Sequence, residues 1–232
     1  MAEVIVALDQ PSVGAALELV DTLGEAGTFY KVGLELFSRG GPQVVRELRE
    51  RGKRVFLDLK LHDIPNTVAG AVAAASALDV ELVTVHAAGG PEMMEAARNA
   101  AAGDTRVVAV TLLTSLSAAD VETLWGREIR SIRDEVVRLA HLVRDQGLHG
   151  VVASPLEAEW VRRSLPEPFL LVTPGIRMAG GDAGDQKRVA TPAGAVEAGA
   201  DCLVVGRTVT AAPDPELALR TVWQEVASAS DS

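Results

Sequence analysis

Short apolar runs alternate with amphipathic stretches along the whole chain. Most of these runs are nearly continuous in Val, Leu and Ile, which is typical of strands buried on both faces of a parallel sheet. They predict eight strands, at 3–8, 28–32, 54–59, 81–85, 106–112, 150–153, 169–172 and 201–205.

Helical patterns fill the intervals between the predicted strands. Helices are expected at 12–23, 41–51, 66–78, 91–102 and 131–147, after Pro155 and Pro192, and at 215–226. In the fifth, Ser131 and Asp134 resemble a capping box that precedes apolar residues at helical spacing. Strict alternation of strand and helix predicts a closed (β/α)8 barrel, a TIM barrel, formed as a single domain over residues 1–232.

An open doubly wound sheet is the alternative architecture. It is disfavoured because Asp9-Gln10-Pro11-Ser12 follows the first strand, where a Gly-x-Gly-x-x-Gly turn would be expected. Two segments, 114–130 and 176–191, are longer than a barrel needs. The second is rich in Gly and charge; we expect a mobile lid over the site, with a disordered surface loop as the alternative. Residues 228–232 are expected to be a frayed tail.

Composition narrows the class of protein. The net charge of −10 argues against general nucleic-acid binding, which needs a basic face. The apolar runs are too short to span a bilayer. A single cysteine excludes an intrachain disulfide, and no basic segment precedes the first apolar run. A cytoplasmic protein without nucleic-acid or membrane partners is therefore expected.

Charged residues lie where the first three predicted strands end. Asp9 ends the first, Lys31 lies on the second, and Asp58, Lys60 and Asp63 follow one another at the end of the third. Active sites of such barrels form at the carboxyl ends of the strands. Buried charges are tolerated when paired, so an alternating cluster of Lys31, Asp58, Lys60 and Asp63 is expected there. The alternative is a salt-bridge cluster that only closes the barrel.

Strand alternation assigns these side chains to a face. Asp58 and Lys60 share a face with Phe56, whereas Leu57 and Leu59 take the other. Leucines suit the layer between strands and helices, so Asp58 and Lys60 are expected to point into the barrel mouth.

Glycine and arginine residues end the last two predicted strands. Gly206 and Arg207 follow the eighth, and Arg177 follows the seventh. These positions suit a phosphate site made from backbone N–H groups and bidentate arginines, because barrels of this kind bind phosphate there. The alternative is a glycine turn with solvated arginines.

The remaining candidates for chemistry are histidines and one cysteine. His86 ends the fourth predicted strand, where it either lines the pocket or is a hydrogen-bonded structural residue, and His62 is expected to face away from Lys60. Cys202 is expected to be a small buried apolar side chain. The histidines lack ligand spacing, so a zinc site is not expected.

The ten residues 58–67, Asp-Leu-Lys-Leu-His-Asp-Ile-Pro-Asn-Thr, resemble the signature of the orotidine 5′-phosphate decarboxylase family. The resemblance extends along the chain, to Asp9, Lys31 in Tyr-Lys-Val-Gly, Thr114 in Leu-Thr-Ser, Arg177 at the end of Thr-Pro-Gly-Ile-Arg, Gln186, and the pair Gly206 and Arg207.

That resemblance implies decarboxylation of orotidine 5′-monophosphate to uridine 5′-monophosphate without a metal or an organic cofactor. It implies a homodimer in which residues 63–67, from Asp63 to Thr67, reach the neighbour's active site. Lys60 is implied to stabilise and protonate the C6 carbanion, between Asp58 and Asp63.

The resemblance also implies the substrate contacts. They are Lys31 and Asp9 at the ribose, Thr114 at the base, and Arg177, Gln186, Gly206 and Arg207 at the phosphate, together with Thr67. Two alternatives stay open: a metal-dependent 3-keto-sugar-phosphate decarboxylase or hexulose-phosphate synthase on the same barrel, and a catalytically silent nucleotide-binding barrel.

Overall fold

Eight parallel strands pair in chain order, and the last pairs with the first, in a computed structural model that describes residues 2–178 and 189–230. The strands are β1 (Glu3–Ala7), β2 (Phe29–Gly33), β3 (Arg54–Leu61), β4 (Leu82–His86), β5 (Arg106–Val110), β6 (Gly150–Val152), β7 (Leu170–Pro174) and β8 (Cys202–Val205). The closed ring confirms the predicted (β/α)8 barrel and excludes the open sheet.

The connections carry helices at every predicted place. The helices are α1 (Val13–Leu23), α2 (Leu34–Gly40), α3 (Pro42–Glu50), α4 (Pro65–Ser76), α5 (Pro91–Ala100), α6 (Ala118–Trp125), α7 (Ile132–Asp145), α8 (Pro155–Ser164), α9 (Pro192–Glu197), α10 (Arg207–Thr210) and α11 (Pro215–Ser230). Helices α2, α6 and α10 were not predicted. Helix α2 directly follows β2, and no side chain caps its first turn, so it gives no local start signal.

Short side chains begin several helices. Ser131 Oγ accepts a 3.0 Å hydrogen bond from the Asp134 backbone N–H, which confirms the predicted start of α7. A reciprocal capping box occurs at Ser117 and Asp120, at the start of α6. This box lies in the segment 114–130, which the sequence showed to be longer than a barrel needs.

Strand alternation divides the apolar residues into two cores. One fills the barrel interior and includes Ile5, Phe29, Phe56 and Leu82, all at most 1% exposed. The larger one, which includes Leu57, lies between the strands and the helices. Phe56 and Leu57 thus take opposite faces, as the alternation predicts, and the residues that follow on β3 are aimed at the barrel mouth.

The predicted frayed tail and the predicted lid have different outcomes. Helix α11 continues to Ser230, so residues 228–230 are helical and the prediction of a tail frayed from 228 is wrong for them. The predicted lid spans 176–191, of which residues 179–188 lie outside the described residues. At its base, Ile176 bridges Ala190, and Arg177 N donates to Ala190 O at 2.9 Å. In the described ranges, no helix is long and apolar enough to cross a membrane.

Candidate active site

A cavity of about 430 Å³ opens at the carboxyl ends of the strands. Its floor is apolar and includes Phe56, Val152 and Val204 from the barrel interior. Its polar lining comes from Asp9, Lys31, Asp58, Lys60, Thr114, Arg177, Arg207 and Thr210. The cavity therefore joins the acidic and basic residues of β1–β3 to the arginines that follow β7 and β8.

Four charged side chains form a chain of ion pairs on one wall. Lys31 Nζ lies 3.1 Å from Asp9 Oδ1 and 3.7 Å from Asp58 Oδ2. Lys60 Nζ lies 2.8 Å from the same Asp58 oxygen. The side chains of Lys31 and Asp58 are only 12% and 11% exposed, so their charges depend on this pairing. Because the charges alternate in sign along this chain of contacts, each charged group has a partner of opposite charge.

Strand β3 delivers two of these side chains through an irregular end. Its pairing with β4 shifts register between Leu57 and Leu61, and Lys60 has a φ of +52°. A non-glycine residue in this left-handed region carries backbone strain, which is frequent at functional sites. Asp58 and Lys60 do line the cavity with Phe56, as alternation predicts, although the path between them is not a regular strand.

Asp63 and Thr67 do not join this cluster within one chain. Both are exposed and lie outside the lining of the cavity. Asp63 Oδ1 accepts a 2.6 Å hydrogen bond from Ile64 N, at the start of α4, and Ile64 is 67% exposed. The predicted grouping of Asp63 with Lys31, Asp58 and Lys60 is therefore wrong for a single chain, in which Asp9 takes that place.

The arginine side of the cavity is built on tight backbone. Gly175 has a φ of +85°, a conformation that favours glycine, and it directs the chain to Arg177. Arg177 is buried, and its Nη1 donates to Ile176 O at 2.9 Å. Gly206 and Arg207 lie beside it at the start of α10, and Gln186 lies outside the described residues.

Two histidines, His62 and His86, lie near Lys60 but outside the lining of the cavity. The rings of His62 and His86 are stacked with centroids 5.4 Å apart, and neither lines the cavity. Burial lowers the pKa of His86, and the nearby His62 and Lys60 add to that lowering. His86 Nδ1 accepts a hydrogen bond from Ala88 N at 3.3 Å. Cys202 is buried in the barrel, which raises the pKa of its thiol to about 12, so it is an inert apolar residue as expected.

A second depression, of about 620 Å³, lies at the amino ends of β3–β5. It is larger than the first, but its main charges are already paired. Arg54 and Arg106 both contact Glu81 at 2.6 Å, and Arg54 also pairs with Glu3. The amino face of such a barrel contributes to stability, so the chemistry is assigned to the smaller cavity.

One residue that contacts both Asp58 and Lys60 was not predicted from the sequence. Thr84 on β4 is fully buried, donates to Asp58 Oδ1 at 3.0 Å and accepts from the Lys60 backbone N–H at 2.8 Å. The available signal was a single hydroxyl residue inside the apolar run Leu82-Val83-Thr84-Val85.

Comparison with known proteins identifies the family to which this chain belongs. A family model described as "Orotidine 5'-phosphate decarboxylase / HUMPS family" matches residues 2–222. The chain belongs to this family. The sequence resemblance seen at residues 58–67 is thereby confirmed over nearly the whole chain.

Relatives named orotidine 5′-phosphate decarboxylase match the chain over nearly its whole length. A protein of Moorella thermoacetica with that name is 49% identical over 97% of this chain and 92% of its own length. One from Halorhodospira halophila is 51% identical over 97% of this chain and 96% of its own. A crystal structure of the decarboxylase from Lactobacillus acidophilus superimposes with a TM-score of 0.87 at 35% identity, covering 97% of this chain and 99% of that one.

Proposed function

We propose that this protein decarboxylates orotidine 5′-monophosphate to uridine 5′-monophosphate and CO2. The observation that carries the proposal is the Lys60 ammonium, held 2.8 Å from Asp58 on the wall of a cavity that also contains two arginines. This geometry puts a proton donor and an anion-binding region in one cavity, which a phosphorylated substrate that loses a carboxylate requires. The names of the relatives agree with it.

Lys60 is the group that meets the developing charge. When the C6–carboxylate bond breaks, CO2 leaves and the electron pair stays on C6 as a carbanion. An ammonium beside C6 stabilises this charge in the transition state more than in the ground state, which lowers the barrier. Nζ then gives its proton to C6, and the neutral amine regains one from solvent.

The neighbouring charges hold Lys60 ready. Asp58 keeps the ammonium in place, and Lys31 balances the two carboxylates of Asp58 and Asp9, 3.7 and 3.1 Å away. Asp9, whose side chain is 64% exposed, is free to receive the ribose hydroxyls together with Lys31. Thr114 lines the cavity and binds the base.

The phosphate is bound by the residues that follow β7 and β8. Arg177 and Arg207 supply charge-assisted hydrogen bonds, and Gly206 lets the backbone approach. Gln186 is proposed to join them; it belongs to the predicted lid at 176–191, of which residues 179–188 lie outside the described residues. Since the net charge is −10, this attraction is local.

A homodimer completes each site in the proposal. Asp63 and Thr67 are exposed at the start of α4, next to Ile64, an apolar side chain that is 67% exposed. Residues 63–67 of one subunit enter the site of the other, where Asp63 flanks Lys60 and Thr67 contacts the substrate. The second carboxylate then helps to hold the Lys60 ammonium beside the substrate carboxylate that leaves as CO2.

The reaction is tested by following loss of the orotate chromophore with a chelator present. Fast loss, with uridine 5′-monophosphate as the product, supports the proposal. Activity only on 3-keto-sugar phosphates with added Mg²⁺ would replace it by the metal-dependent alternative. Tight nucleotide binding without turnover would indicate a silent barrel.

The predicted cytoplasmic location, and the absence of nucleic-acid and membrane partners, stay predictions for cell fractionation and binding assays.

A further inference from the structure

Thr84 connects the two residues on which the proposed reaction depends. Its hydroxyl donates its one proton to Asp58 Oδ1 at 3.0 Å and accepts the Lys60 backbone N–H at 2.8 Å. The residue is 0% exposed and lies outside the lining of the cavity, so it does not touch a bound substrate. Both hydrogen-bonding roles of the hydroxyl are thus used within the protein.

The register of the sheet explains why a side chain is needed here. Leu57 pairs with Val83, and Leu61 pairs with Val85. Between these pairs, three residues of β3 face the single residue Thr84. Regular backbone hydrogen bonding cannot pair three residues with one. In a regular parallel pair, Lys60 N–H would donate to a backbone carbonyl of β4; here it donates to the Thr84 hydroxyl instead.

The same hydroxyl therefore constrains both the backbone of Lys60 and the carboxylate of Asp58. It holds Lys60 in its left-handed conformation, with a φ of +52°, and it fixes one carboxylate oxygen of Asp58. The other oxygen, Oδ2, is left to meet Lys60 Nζ at 2.8 Å and Lys31 Nζ at 3.7 Å. The direction of the Lys60 ammonium depends both on the backbone conformation of Lys60 and on the orientation of the Asp58 carboxylate.

We infer that Thr84 is a positioning residue of this active site, acting through Asp58 and the backbone of Lys60; the inference rests on the proposed function. Its hydroxyl orients the Lys60 ammonium, before substrate binds, toward the position that C6 occupies in the transition state. Phosphate and ribose binding rely on other residues, so loss of this hydroxyl acts on turnover and leaves substrate affinity nearly unchanged.

The test compares two substitutions at this position. Thr84→Val keeps the shape and removes the hydroxyl, which leaves Lys60 N–H and Asp58 Oδ1 without that partner. We expect kcat to fall on the order of a hundredfold, because a displacement of about 1 Å of a reacting group can lower a rate by that factor. KM should stay within about twofold of wild type. Thr84→Ser keeps the hydroxyl and should restore most of kcat.

A matched control separates positioning from packing. Thr105 is also buried, 6% exposed, and its hydroxyl donates to Val80 O at 2.7 Å, at the amino end of β4. Thr105→Val removes a buried hydrogen bond of the same kind far from the cavity. It should lower thermal stability about as much as Thr84→Val and leave kcat unchanged.

Hydrogen exchange gives a readout that needs no activity. In Thr84→Val, the Lys60 amide should exchange with solvent at least tenfold faster than in wild type, and in Thr84→Ser at the wild-type rate. Unchanged exchange, a serine variant as slow in turnover as the valine variant, or kcat within twofold in Thr84→Val would overturn the inference. A wild-type protein that does not turn over orotidine 5′-monophosphate overturns the proposed function instead, and exchange alone then decides on Thr84.

Discussion

Lys60 Nζ lies 2.8 Å from Asp58 Oδ2, although a single residue separates the two along β3. In a regular strand their Cα atoms would be about 6.6 Å apart, with parallel side chains. The left-handed conformation at Lys60 breaks that regularity next to the carboxylate. The ion pair is thus found at an irregular strand end, and the charges around it have consequences for activity and stability.

Loss of the central carboxylate should disable the cluster. In Asp58→Asn, Lys31 and Lys60 lose the charge that both contact, and their two ammoniums repel each other on a wall with little solvent. We expect kcat to fall at least about a hundredfold, as for loss of a preorganised electrostatic partner. Steady-state kinetics check this, with Asp145→Asn on the exposed face of α7 as the control. Turnover within tenfold of wild type would show that Asp58 is dispensable.

Removal of an arginine that is proposed to bind the phosphate should act mainly on binding. Arg207→Ala would delete the proposed charge-assisted contact with the phosphate, worth about 1.5–3 kcal/mol, which is roughly a 10- to 150-fold loss. KM should rise strongly, and kcat/KM should fall by at least that factor if phosphate binding also orders the site.

The matched control for Arg207 is Arg220→Ala. Arg220 is exposed and pairs with Glu216 within α11, so its removal should change neither kinetic constant. An unchanged kcat/KM in Arg207→Ala would remove Arg207 from the proposed phosphate site.

If the two subunits of a homodimer share their active sites, as proposed, two inactive variants should complement each other. Lys60→Ala and Asp63→Ala should each be inactive alone, because each damages both sites of a homodimer. In a mixed dimer, one site carries both substitutions and the other carries neither. Random exchange of subunits should therefore recover about a quarter of wild-type activity. Mixing after reversible dissociation measures this, and no recovery in a sample shown to contain mixed dimers would contradict the exchange of residues 63–67.

Stability should fall on mild acidification. Burial lowers the pKa of His86 and of His149 from the ordinary value of 6.5 in the folded chain. Between that value and the folded-state pKa, the unfolded chain binds more protons, so the free energy of unfolding decreases as the pH falls through this window. Urea unfolding at several pH values should show this slope. The double variant His86→Gln/His149→Gln should flatten it, and a wild-type slope in that variant would contradict the account.

The amino face of the barrel should matter for stability alone. Glu81 joins Arg54 and Arg106, and hydrogen bonding to Arg54 lowers the pKa of its carboxyl. Because these side chains are 24–35% exposed, Glu81→Gln should cost only about 1–2 kcal/mol. This corresponds to a decrease of roughly 2–8 °C in Tm, measured by calorimetry, with unchanged kcat. A loss of turnover at equal folded fraction would point to a link between the two faces.

The barrel was predictable because its signals are local and repeated. Apolar runs and helix caps such as Ser131 recur along the chain, and alternation correctly places Phe56 and Leu57 on opposite faces. Helix α2 was missed because it starts without a capping side chain. The tail was predicted to be frayed because exposed termini usually are, whereas α11 continues through its small and polar residues to Ser230.

The site was predictable as a set of residues and less so as a geometry. Charges at strand ends indicated Asp9, Lys31, Asp58 and Lys60, which the fold brings together. Asp63 was misplaced within the chain because the shift of register after Leu57 is set by pairing with β4, which a single segment does not encode. Thr84 was missed for the same reason, since its partners are distant in sequence.

The central claim is that one lysine both stabilises and protonates the carbanion, and turnover by Lys60→Ala tests it most directly. The control is Lys53→Ala, since Lys53 Nζ binds Gly24 O and Gly27 O outside the cavity, at 2.8 and 2.9 Å. With both variants shown to be folded by circular dichroism, we predict no detectable decarboxylation by Lys60→Ala and near-normal kcat for Lys53→Ala. Near-normal turnover by Lys60→Ala would contradict the mechanism.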